Sequence, residues 1–240
     1  MAVQAAAAEE KPWRVSLVGD RFDGSAWHTG VLIELEPGLK TYWRMPGEAG
    51  VPPEFTWLPS APAEVEVQLP TPRRHADASG ETVGYEGEAL FPVTVTPETG
   101  AGELRLGLQL FFAVCKDICI PARAEAAIDL GTQARDPSGS ARVEQAEQAL
   151  PAAGDAIAAA SVGEEGGKPV LLLTLKEPLE DIFVETTGPA YFRKPVFSAD
   201  GREARLAIDN LADPAKLAGA TLSLTYWRGG RGLEQAVTLP

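Results

Sequence analysis

Cys115 and Cys119 are the only cysteines in the chain, four positions apart in Phe111-Phe112-Ala113-Val114-Cys115-Lys116-Asp117-Ile118-Cys119-Ile120-Pro121. A fully extended chain separates Cα atoms four positions apart by roughly 13 Å. A disulfide tolerates about 4.4–6.8 Å, so bonded cysteines require the chain to turn back between them. A helix brings such positions to about 6 Å, but its side chains run nearly parallel. Pro121 also follows too closely to favour a helix. The stretch therefore predicts a tight hairpin with Lys116, Asp117 and Ile118 at its tip.

The flanks agree with two strands. Side chains alternate between faces along a strand, so Leu104, Leu106, Leu108, Leu110, Phe112 and Val114 share one face, which must be the buried one. Arg105, Gln109, Phe111 and Cys115 share the other. On the return, Ile120, Ala124, Ala126, Ile128 and Leu130 lie together, opposite Cys119, Arg123, Glu125 and Asp129. Both sulfurs are thus expected on the face away from the main core and accessible there, unless a bulge inverts the parity.

The remaining chain reads as short strands separated by turns. Twenty prolines and 24 glycines among 240 residues argue for many short elements, and the 45% hydrophobic content supplies real cores. Trp13–Leu17, Val31–Leu35, Phe55–Leu58, Val65–Leu69 and Leu90–Val95 are strand candidates. Thr41–Pro53 reads as an aromatic, proline-rich loop, and Thr71–Gly84, with Arg73-Arg74-His75, as a long polar loop. Gly131–Gly139 reads as a linker, and helical spacing follows over Ala141–Leu150 until Pro151 and Gly154 stop it. Val170–Leu175, Ile182–Thr186, Ala204–Asp209, Thr221–Trp227 and Gln235–Leu239 are strands again. The chain is expected to be all-β, with two β-sandwiches joined by a linker carrying a short helix. The expected divisions are a disordered tail at 1–12, a first domain at 13–131, linker and helix at 132–154, and a second domain at 155–240.

The net charge of −13 argues against nucleic acid, whose phosphates need clustered Lys and Arg. No run approaches 18 uninterrupted apolar residues, so no membrane-spanning helix is expected. The start, Ala2-Val3-Gln4-Ala5-Ala6-Ala7-Ala8-Glu9-Glu10, is either the small-residue end of an export signal or an Ala-rich tail. The five tryptophans read as core, and His28 and His75 as surface or structural residues. No cofactor and no metal site are expected.

Three readings of the thiols stay open on the residues alone. As a staple, a disulfide closing a five-residue loop contributes only about 2 kcal/mol, and a chain of this length builds cores without it. As metal ligands, the two need partners that the sequence does not point to. As an exchange pair, they supply an attacking thiolate and a second thiol that resolves the mixed disulfide. Lys116 favours the thiolate and Asp117 opposes it. Phe111, Ile118 and Ile120 are candidates for an apolar surface on which a partner docks.

Three stretches resemble the N-terminal periplasmic region of the DsbD-like transmembrane thiol-disulfide reductases, in particular the ScsB branch. Gly38-Leu39-Lys40-Thr41-Tyr42-Trp43-Arg44-Met45-Pro46-Gly47-Glu48-Ala49-Gly50-Val51-Pro52-Pro53 is similar to that branch's tyrosine–tryptophan–arginine loop. Gly84-Tyr85-Glu86-Gly87 with Leu90-Phe91-Pro92-Val93 resembles the segment that caps the active disulfide, and Val114–Pro121 resembles the redox hairpin. Together they cover roughly residues 13–130, and the second domain fits the branch's longer N-terminal region.

The resemblance implies an immunoglobulin-like fold and a protein-disulfide reductase module. Cys119 would form the mixed disulfide and Cys115 would resolve it, with Tyr85 as cap and Glu86 and Tyr42 as neighbours. It implies periplasmic residence as an exported part of an inner-membrane protein. Electrons would come from thioredoxin-like and transmembrane parts of the same full-length protein, and pass to a thioredoxin-fold partner such as a disulfide isomerase. Three residues separate the cysteines here, where the DsbD type has five, a departure that fits the ScsB branch. The alternatives are a non-catalytic β-sandwich binding module with a structural disulfide, and a copper-handling module in keeping with the branch's copper-tolerance context.

Overall fold

The structure is a computed structural model of the 240-residue chain, and it describes residues 11–47, 50–77, 80–100, 102–116, 118–211 and 213–240. The tail expected over 1–12 lies outside them as far as residue 10, as does Asp117 at the hairpin tip. The chain divides into two compact units, Met1–Glu147 and Gln148–Pro240.

The first unit contains β1 (Trp13–Phe22), β2 (Trp27–Leu35), β3 (Lys40–Gly47), β4 (Glu54–Pro59) and β5 (Ala63–Val67). It continues with β6 (Arg73–Asp77), β7 (Gly80–Glu86), β8 (Glu88–Pro97), β9 (Leu104–Cys115), β10 (Cys119–Leu130) and α1 (Pro137–Gln148). Its strands form two antiparallel sheets, one ordered β1-β2-β8-β5 and the other β10-β9-β3-β7-β6, with β4 also paired to β9. This is an immunoglobulin-like sandwich.

The alternation on β9 dictates the packing. Leu104, Leu106, Leu108, Leu110, Phe112 and Val114 are all buried, and they share one core with Trp27, Val31, Ile33, Phe91, Val93 and Val95 of the opposing sheet. Each such side chain removed from water contributes about 1.5–3 kcal/mol. The predicted pairing of the two long strands holds from Cys115↔Cys119 down to Leu104↔Leu130.

The stretch Thr71–Gly84, read from the sequence as loop, contains β6 and most of β7, which pair antiparallel as a hairpin. Its polar composition hides the strands because the ladder is made by backbone groups and an Arg74–Glu81 ion pair of 2.5 Å, with little apolar alternation.

The helix begins earlier than the apolar spacing indicates, and its start is built by capping. Asp136 Oδ1 accepts from Gly139 N at 2.9 Å, and Pro137 occupies the first helical position, an arrangement favoured at helix N-termini. Asp136 Oδ2 accepts from Gly19 N at 3.0 Å, and Asp20, buried in the β1 bulge, accepts from Arg135 N and Asp136 N at 2.7 and 3.0 Å. Val143 is fully buried over Gly30 of β2. The helix, placed in a linker by its sequence surroundings, is thereby fastened to the first unit.

The second unit contains β11 (Ala152–Ala153), β12 (Ile157–Glu165), β13 (Lys168–Leu175), β14 (Asp181–Glu185) and β15 (Tyr191–Phe192). The remaining strands are β16 (Val196–Phe197), β17 (Glu203–Asp209), β18 (Thr221–Arg228) and β19 (Arg231–Thr238). One sheet runs β11-β19-β18-β14 and the other β12-β13-β17-β15, with β16 on β17. Leu171, Leu173, Ile182, Leu206, Leu222, Leu224 and Tyr226 lie in its separate core. The chain is all-β apart from α1 and a single short 3-10 turn at Pro214–Leu217 among the described residues.

Candidate active site: a disulfide at the end of a hairpin

Cys115 ends β9 and Cys119 begins β10, so the two face each other as the last pair of the ladder. They are joined by a disulfide with Cα atoms 4.2 Å apart. Beyond them Lys116 N reaches Ile118 O at 3.5 Å, closing the turn. The close Cα approach fits a directly opposed antiparallel pair whose own backbone groups are not hydrogen-bonded to each other.

The parity reading places both sulfurs on the side away from the main core, and they belong to a small separate cluster of Tyr42, Ala113, Cys115, Val51 and Cys119. The expectation that both are accessible needs correction. Cys115 is 1% exposed, whereas Cys119 is half-buried. Strand alternation fixes which face a side chain takes but says nothing about what covers that face. Here the cover is Tyr42, itself 1% exposed, with Val51 beside it.

Tyr42 is the residue most intimately placed. Its hydroxyl lies 2.6 Å from Cys115 Sγ and 2.8 Å from Cys119 Sγ. The loop after β3 holds the ring from above: a methyl group at Gly50 would come within 2.7 Å of Tyr42 Cδ1 and overlap Pro46. Residues expected in an irregular loop thus supply both a strand, β3, and the lid over one sulfur.

Register explains the remaining neighbours. Lys40 of β3 pairs with Cys115 on one side and with Glu86 of β7 on the other. Cys119, Cys115, Lys40 and Glu86 therefore form one rung across β10, β9, β3 and β7. Tyr85, expected to cap the disulfide, goes to the other side. Its ring packs edge-on against Phe91 at 5.2 Å between centroids, and its hydroxyl donates to Pro70 O at 2.7 Å. Alternation is the reason: Tyr85 pairs with Thr41, one residue out of step with both Lys40 and Tyr42.

The three apolar candidates separate likewise. Ile118 at the tip and Ile120 are 77% and 63% exposed, large hydrophobic surfaces at the end of the hairpin. Phe111 lies four residues before Cys115 on β9, half-buried, with the Arg123 guanidinium 5.1 Å from its ring centroid. Lys40 carries no distinguishing spacing in the sequence. Only the pairing of strands 75 positions apart reveals it.

Residues 6–130 match the family described as "Thiol:disulfide interchange protein DsbD, N-terminal". The chain belongs to that family. It is a thiol-disulfide interchange module whose cysteine pair is Cys115 and Cys119. A crystal structure of the N-terminal periplasmic domain of ScsB from Proteus mirabilis matches with a TM-score of 0.75 at 23% identity, over 98% of this chain and 96% of that one. At that identity the likeness speaks for the fold.

The YadV chaperone matches over 95% of this chain and 100% of that one at 10% identity, but with a TM-score of 0.26. The periplasmic chaperone SfaE, also at 10% identity, covers 94% of this chain and 99% of its own with a TM-score of 0.20. Neither likeness is close enough to carry an argument. No curated protein sequence matches the chain.

Proposed function

We propose that the first unit is a periplasmic electron relay. It takes electrons from membrane-embedded and thioredoxin-like parts of a longer protein and delivers them to a thioredoxin-fold partner. The observation that carries this reading is the unequal burial of two bonded sulfurs: Cys119 is half-exposed at the end of a hairpin, and Cys115 is sealed under Tyr42. Exchange proceeds by thiolate attack on an accessible sulfur, followed by displacement from within, and this pair separates those duties. Residence in the periplasm is supported by the likeness to a periplasmic domain of ScsB.

In the delivering direction the Cys119 thiolate attacks one sulfur of the partner's disulfide. A new S–S bond forms, the partner's own bond breaks, and its second sulfur leaves as a thiolate that takes a proton. Cys115, deprotonated, then attacks Cys119 Sγ and expels the partner's first sulfur. Two electrons have passed to the partner, and Cys115 and Cys119 end as the disulfide. Ile118 and Ile120 flank Cys119 and provide the apolar contact on which the partner rests. Tyr42 serves as the cover that keeps outside thiols from Cys115.

Trapping tests this reading. Cys115→Ser leaves Cys119 without a resolving thiol, so it should accumulate a mixed disulfide with an oxidised thioredoxin-fold protein. Cys119→Ser should form none, because the remaining thiol is buried. Failure of the reduced wild-type protein to reduce any thioredoxin-fold disulfide would overturn the relay.

A further inference from the structure

We propose that Lys40 is the positioning residue that supplies the positive charge for the Cys115 thiolate, an inference that rests on the exchange reading above. The four-strand rung is the basis. Directly opposed residues on neighbouring strands have Cβ atoms about 4.5–5.5 Å apart, and Lys40 opposes Cys115. Tyr42, two positions on, touches both sulfurs, so alternation puts Lys40 on that same face.

Lys40 is also only 9% exposed. Lysine is almost never so buried unless charges compensate it, because removing an ammonium from water is costly. Its neighbours in register are Glu86 on β7 and, on β9, Cys115, whose sulfur lies on the same face. In the disulfide that sulfur is neutral. On reduction it can become an anion in a site shielded from salt, where attraction between opposite charges is strongest. Lys116 at the exposed tip is the other cation close in sequence, but it stands in solvent, with its stem turned toward Gly38. A buried ammonium one strand away has the advantage of low screening.

The role has the same sense in both directions of exchange. When the disulfide is reduced from outside, an incoming thiolate attacks Cys119 Sγ, the Cys115–Cys119 bond breaks, and Cys115 leaves carrying the negative charge. When the dithiol reduces a partner, Cys115 must lose its proton before it attacks Cys119 Sγ. Lys40 favours the anion in each case and never contacts the partner.

The test is a titration of Cys115 alone, in Cys119→Ser protein, followed by the ultraviolet absorbance of the thiolate. Lys40→Met should raise the midpoint by about one pH unit or more, and Lys40→Arg should restore it. Lys40→Gln, which keeps a polar end but not the charge, should raise the midpoint as well.

In the two-cysteine protein, Lys40→Met should slow release of a trapped partner about threefold. A tenfold loss of thiolate is offset in part by the greater nucleophilicity of a more basic thiol. An unmoved midpoint in both Lys40→Met and Lys40→Gln would overturn the proposal. Should Lys40→Met fail to fold, Lys40→Gln decides by itself. A wild-type protein that exchanges normally while these midpoints stay fixed removes only the role of Lys40. A wild-type protein that exchanges with nothing removes the relay instead.

Discussion

The Tyr42 hydroxyl sits 2.6 Å from Cys115 Sγ, close enough to donate a hydrogen bond to that sulfur as soon as it carries charge. The same hydroxyl is 2.8 Å from Cys119 Sγ, so one donor serves either cysteine. Hydrogen bonds to charged groups contribute about 1.5–3 kcal/mol, and for a two-electron couple 1.4 kcal/mol corresponds to about 30 mV. Removing the hydroxyl destabilises the thiolate and thus the reduced state. Tyr42→Phe is expected to lower the reduction potential by about 30 mV or more at a pH where the thiolate is populated. Equilibration with a thiol redox buffer measures this. An unchanged potential would show that the hydroxyl only fills space.

The lid over Cys115 depends on the absence of a side chain at Gly50. A methyl group there would collide with the Tyr42 ring and with Pro46, and overpacking of this kind costs about 1–3 kcal/mol. The strain is relieved by moving the ring off the sulfur. Gly50→Ala is therefore expected to make Cys115 of the reduced protein react several-fold faster with an alkylating reagent while Cys119 is little changed. Mass spectrometry of each modified cysteine distinguishes the two. Equal acceleration at both sites would point to loosening of the whole hairpin.

How far the sequence reveals this site depends on the range of each contact. The six alternating apolar residues from Leu104 to Val114 specify β9, and its partner strand follows because the turn between them is three residues long. Local signals of that kind survive in a single sequence. Tyr42 and Cys115 are 73 positions apart, so the covering of the sulfur depends on which strand lies beside β9, and composition carries no trace of that.

Tyr85 illustrates the same limit, since a shift of one residue in register exchanges core for active-site face. The β6–β7 hairpin is hidden for another reason. Its strands are polar, and the backbone ladder that makes them leaves no hydrophobic period to read. The helix start was legible in principle: Asp136 followed by Pro137 is a capping signature, masked by its position among turn-forming residues.

Gly19 governs the docking of that helix. It has φ of +74°, and a Cβ there would lie 2.9 Å from the backbone of Gly139 and Ser140. Two costs combine, left-handed backbone strain and a collision with atoms that cannot rotate away. Gly19→Ala is expected to destabilise the first unit by more than about 1 kcal/mol, because the β1 bulge and α1 would have to separate. Chemical denaturation monitored by tryptophan fluorescence provides the measurement. Cys119 alkylation in the reduced protein should be unaffected well below the unfolding midpoint.

Asp136 joins the same contact to pH. Hydrogen bonds from Gly139 N and then Gly19 N hold its carboxyl below the usual carboxylate range, against a smaller opposing effect of partial burial. A group whose folded pKa is depressed releases its proton more readily in the folded state than in the unfolded chain. Its stabilisation is complete above the unfolded value, about 3.9, and is lost as pH falls through the lower folded value. Asp23 and Asp200 are depressed too, each by its own local hydrogen bonds, so acid sensitivity of the whole protein is not specific to Asp136. The difference between wild type and Asp136→Asn isolates it. At neutral pH the variant should unfold at lower temperature. Asparagine can still accept from Gly139 N, but its NH2 replaces the oxygen that accepts from Gly19 N, and a hydrogen bond to a charged group contributes about 1.5–3 kcal/mol. Below about pH 4 the two melting curves should converge as Asp136 of the wild type is protonated. A gap that stays constant through that range would show that the cap acts without its charge.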